Sequence, residues 1–77
     1  MHLDQEIMNR YAEINALVAD LSSAVSPIGD WKVVKIYEAR LQGKEDPYDF
    51  EALAAERQAA RDRINQLQKE IKDLEEN

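Results

Sequence analysis

Four carboxylates crowd one short stretch of this 77-residue chain: Glu45, Asp46, Asp49 and Glu51. Such a group could hold a cation, but a calcium loop needs alternating oxygen ligands, a central glycine and a late glutamate, and that spacing is absent. Acids in this position also complement the positive end of a following helix, which is the ordinary reading of the cluster. The one histidine, His2, stands alone near the terminus with nothing beside it to make a metal site or an oriented base, and reads as a solvated residue. The absence of cysteine removes thiol chemistry and zinc fingers or ribbons. Ser22, Ser23 and Ser26 carry hydroxyls, yet no His or Lys is placed by any nucleophile motif, and no glycine-rich loop could cradle a phosphate. The chain is therefore read as not an enzyme. No catalytic, metal-binding or cofactor-binding residue is assigned, and no cofactor or small-molecule substrate is expected.

The residues that invite a functional reading are of a different type. Trp31, Tyr37 and Tyr48 are large amphipathic groups gathered around one short helical stretch and the connection after it. Core packing is the ordinary role of such residues, but aromatic and arginine side chains are also those enriched where proteins bind one another. Arg57 interrupts an otherwise apolar helical seam. It either snorkels to solvent or pairs with an acid from the middle helix or a second chain, fixing register. With Val34 and Leu41, which share a helix face with Tyr37, the candidate partner-binding set is Trp31, Val34, Tyr37, Leu41, Tyr48 and Arg57.

These residues must be positioned by helices. The two glycines and two prolines fall in two clusters, Ser26–Asp30 and Gly43–Pro47, and there is no threonine. Three helical stretches lie around those breaks, at about 3–24, 28–42 and 47–76. In the first, Ile7, Tyr11, Ile14, Val18, Leu21 and Val25 are spaced 4, 3, 4, 3, 4, a coiled-coil-like seam. In the third, Phe50, Leu53, Arg57, Ala60, Ile64, Leu67, Ile71 and Leu74 continue the same alternation, with Asp46 expected to cap and Pro47 to open the helix. The second is apolar around most of its circumference, and Gly43 suits its C-terminal cap. The expected fold class is all-α: two long helices forming an antiparallel coiled-coil-like hairpin, with the short middle helix as its head, in a single domain over 1–77. An up-down-up bundle is the competing arrangement. Flanking charges favour the hairpin, since antiparallel pairing brings Glu13 to Lys69, Asp20 to Arg61 and Arg10 to Asp73.

A chain of 8.9 kDa buries only about 60% of its unfolded surface and usually needs a staple. Without cysteine, that staple is helix packing or another chain. The net charge of −6 argues against nucleic acid and against anionic lipid as partners. Charge is uneven: residues 30–44 carry a net +2, whereas residues 45–51 carry −4. No apolar run is long enough to span a membrane, and the start lacks the flank of a signal peptide, so the cytoplasm is the expected location. Covering the second helix calls for a partner, either a copy in a homodimer or another protein. An alternative class is a small acidic inhibitor that mimics nucleic acid and blocks a host enzyme. Ten bases dilute its acidity.

One stretch carries a resemblance. The Asp30-Trp31-Lys32 start, the Pro47-Tyr48-Asp49 turn and the Ala55-Glu56-Arg57-Gln58-Ala59 run lie within residues 26–65, about half the chain. That block resembles small uncharacterised prophage proteins encoded near phage tail and tail-fibre genes, and its last run resembles the end of some tail-fibre assembly chaperones. The resemblance implies a phage structural or assembly role and brings no catalytic residues.

Overall fold

Two of the three helical stretches are long enough to shield each other's apolar faces, and in the computed structural model they do so. It describes residues 2–76, with side chains from Asp4 onward, so the reading of the His2 side chain lies outside the described residues. The elements are α1 (His2–Ser22), α2 (Asp30–Leu41) and α3 (Phe50–Glu76). Helix α1 packs antiparallel along α3 and touches α2. The molecule measures 55 × 18 × 14 Å. Helix α3 accounts for about 40 Å of that length at 1.5 Å per residue, and α2 with its connections forms the head. A cross-section two helices wide and one deep leaves solvent close to every core residue. The buried apolar residues are accordingly few: Ile14, Ile36, Leu53, Ala60, Leu67 and Ile71. Ile14, Leu67 and Ile71 form the centre of the hairpin, with Ile7, Leu17 and Ile64 packed against them.

The α3 seam lies where its spacing puts it, apart from Phe50, which is half-exposed at the head. The α1 seam is rotated. Tyr11 and Val18 are each 48% exposed, while Leu17 and Leu21 turn inward beside Ile7 and Ile14. Two patterns overlap in this helix. The one used, Ile7-Arg10-Ile14-Leu17-Leu21, buries one more leucine and keeps the Tyr11 hydroxyl in water. It also places Arg10 beside Glu70, where Nε donates to Oε1 at 2.9 Å. The expected flanking pairs shift with it. Arg10 meets Glu70 rather than Asp73, and Glu13 meets Arg63 rather than Lys69, through two bonds of 2.7 and 3.1 Å. A planar guanidinium can engage both oxygens of one carboxylate, which a lysine cannot. The expected Asp20–Arg61 pair is also not formed; Arg61 instead donates to Gln58 Oε1 at 3.3 Å.

Helix ends differ from expectation for local reasons. Helix α1 stops at Ser22 because the Ser23 hydroxyl oxygen accepts the N–H groups of Val25 and Ser26, each at 2.9 Å, and turns the chain out. Helix α3 begins at Phe50, not Pro47. Asp46 is occupied by Arg40 and does not cap; Asp49 does, its Oδ1 accepting the Ala52 N–H at 3.0 Å. Helix α2 starts at Asp30, after the buried Gly29.

Candidate docking site

The site is built around α2, whose ends are tightly defined. At its C-terminus Gly43 has φ +72°, and the N–H groups of Lys44 and Gly43 donate to the carbonyls of Ala39 (2.8 Å) and Arg40 (3.1 Å). That double closure is a Schellman turn, which an L side chain at Gly43 would strain. Beyond it, Arg40 binds both oxygens of Asp46 at 2.8 Å and lies 4.9 Å over the Phe50 ring. The hydrogen bonds from Arg40 hold the Asp46 carboxyl below the usual carboxylate range.

At its N-terminus α2 is tied to the hairpin by Arg57. One guanidinium nitrogen donates to the carbonyls of Leu21 (3.1 Å) and Ile28 (2.8 Å), and the other donates to Asp30 Oδ1 at 2.7 Å. The Arg57 side chain is only 13% exposed, so it is an internal clasp rather than a snorkelling group. It satisfies a carbonyl at the end of α1, where no further helical turn supplies an N–H, and joins three elements through one side chain.

Trp31 and Tyr48 are also turned to internal use. The Trp31 indole N–H donates to the Ser26 carbonyl, and its ring meets Tyr48 edge-on at 5.6 Å and 81°. Lys32 Nζ sits 4.9 Å above the Tyr48 ring. This cluster pins the second connection against the first. Three of the six candidate residues, Trp31, Tyr48 and Arg57, therefore build the head.

The other three share an outer surface. Val34, Tyr37 and Leu41 are 50%, 63% and 70% exposed. At 100° per residue they fall, with Val33, on the side of α2 away from Ile36, Lys32 and Ala39, which are buried or half-buried. The strip does not end at the helix. Val33 is also one wall of a groove of about 530 Å³ between α2 and α3, whose apolar floor includes Phe50, Leu53 and Ala54 and whose rim carries Arg57 and Arg61. Neither Val33 nor Phe50 was marked as a candidate from sequence. Val33 could have been found from its place on the same wheel face, but Phe50 reads as a seam residue until the start of α3 is known.

Among the described residues, no three His, Cys, Asp or Glu side chains converge to hold a metal ion. None has a buried side-chain nitrogen or oxygen left without a partner. The acidic cluster is divided: Asp46 is paired, Asp49 caps α3, and Glu45 and Glu51 stand exposed. The arrangement offers an exposed apolar surface. No known protein family, curated protein or solved structure matches the chain. No helix among the described residues is long and apolar enough to cross a membrane.

Proposed function

We propose that the chain is a non-enzymatic helical interaction module that docks another protein surface through α2. The observation that carries this reading is the exposed strip Val33-Val34-Tyr37-Leu41 running into an apolar groove, on a molecule with six buried apolar residues among those described. An apolar surface continuous from helix to groove marks a contact site on a small protein, and tyrosine at its centre is a residue type that anchors contacts. The resemblance of residues 26–65 to prophage proteins supports placing the module in assembly of a phage particle. The acidic-mimic alternative has less behind it, because Arg40 neutralises Asp46 and Asp49 is spent on a cap.

A photo-activatable benzoylphenylalanine in place of Tyr37, in the native host, should cross-link to protein. The same group in place of Gln68, exposed on α3, should do so far less. Equal yields at the two positions would remove the case for α2.

A further inference from the structure

We infer that the occupant of the α2 surface is a second copy of this chain, bound about a two-fold axis with the two α2 helices antiparallel; the inference rests on the docking reading above. Helix α2 has 12 residues and is about 18 Å long. By itself it is short for an interface of about 800 Å² per partner, so the adjoining groove must contribute. A two-fold antiparallel pair has facing residues whose numbers share one sum. Placing Tyr37 on the axis sets that sum at 74 and pairs each Val33 with the second copy's Leu41. Val33 is the wall of the groove. The register therefore delivers the exposed Leu41 of each copy to the groove mouth of the other, beside Phe50.

Charge agrees with that register. Asp30 opens α2 and so lies across from the C-terminal end of the second copy's α2, where Lys44 follows the Gly43 turn. Asp30 is 58% exposed and gives only one oxygen to Arg57, the other having no partner among the described residues; Lys44 is exposed and forms no ion pair among them. Glu45, exposed after the same turn, is the acid that this arrangement leaves for the basic rim of the groove. Among the described residues Arg61 there has no acidic partner, only Gln58 Oε1 at 3.3 Å. Arg40, which borders the strip, is already neutralised by Asp46 and sets up no repulsion across the axis. Each favourable pair occurs twice by symmetry, and the two helix dipoles oppose.

Sedimentation of the full chain should show a dimer at micromolar concentration. Tyr37→Glu should raise the dimer dissociation constant by more than about a hundredfold, with the helical circular dichroism retained. Glu45→Arg and Arg61→Glu should each weaken the dimer about fivefold, and the double variant should recover it, since the swapped charges meet again across the axis. A dimer indifferent to Tyr37→Glu, or a double variant no tighter than the single ones, overturns the assignment. A chain monomeric at submillimolar concentration that still cross-links from position 37 to a different protein overturns the second copy and leaves the docking reading standing. A monomer that cross-links to nothing overturns both.

Discussion

The two connections of this hairpin are closed by opposite means. The first, between α1 and α2, is held from afar: Arg57 reaches it across 27 to 36 residues of sequence, binding Asp30, Ile28 and Leu21. The second, between α2 and α3, is closed by neighbours: the Gly43 turn, the Arg40–Asp46 pair six residues apart and the Asp49 cap three residues from its donor. One is a tertiary structure in miniature, and the other is a chain of local rules. The difference explains which side of the head stays open. The first connection is consumed by its own contacts, whereas α2 leaves the second with its outer face open.

The largest break in this comparison should come from Arg57→Met. The methionine fills the space of the arginine stem but donates nothing, so the carbonyls of Leu21 and Ile28 lose their partner and Asp30 is released. With part-buried carbonyls left unsatisfied, the loss should be about 2–4 kcal/mol by urea denaturation. Removing the second connection's main ion pair by Arg40→Met should cost far less. Equal losses from the two variants would show that the first connection does not depend on its distant clasp.

The glycines sharpen the same contrast at smaller scale. A Cβ on Gly29 would lie 2.3 Å from the backbone oxygen of Ser23, so the connection itself must move. Gly43 has open space around it, and only its φ of +72° opposes a side chain. Gly29→Ala should therefore cost about 1–3 kcal/mol through overpacking, and Gly43→Ala about 1 kcal/mol through backbone strain alone. Asparagine separates the two causes. It tolerates the left-handed region, so Gly43→Asn should recover most of the loss, while Gly29→Asn should be at least as damaging as alanine. Recovery at both positions would mean that strain, not close approach, rules the first connection.

What could be read from the sequence follows the same division. The hairpin was read from flanking charges, although other charges meet there, while the α3 seam and the Gly43 cap depend on heptad spacing and on residues within one turn and were legible. The rotation of α1 was not. Ile7, Ile14 and Leu21 belong to two overlapping patterns, and the choice between them rests on Leu17 and on Arg10 meeting Glu70 from the far end of the chain. Ser23 and Ser26 looked like idle hydroxyls, yet both accept backbone N–H groups in the first connection. The start of α3 moved from Pro47 to Phe50 because Arg40 claimed Asp46, a competition that no cap rule contains. On the exposed face of α2, Val34, Tyr37 and Leu41 followed from the helical wheel. Trp31 and Tyr48 did not separate from them by type, since an amphipathic ring serves equally well inside the head or on a partner.

The smallest expected effect concerns the second connection's response to acid. Two hydrogen bonds from Arg40 hold the Asp46 carboxyl below the usual carboxylate range. A carboxylate whose folded value is depressed stabilises the fold at pH above its unfolded value, and that contribution disappears as pH falls through the folded one. Acid should thus release Arg40 from Asp46 while the Gly43 turn, which has no titrating group, stays closed. Carboxyl-carbon NMR should place the Asp46 midpoint lower in the wild-type chain than in Arg40→Gln. Raising the salt to 1 M should narrow the gap, because the pair is exposed and the screening length shrinks to about 3 Å. If the Asp46 midpoint is the same with and without Arg40, the pair does not close the second connection, and the glycine turn and the Asp49 cap are left to do so alone.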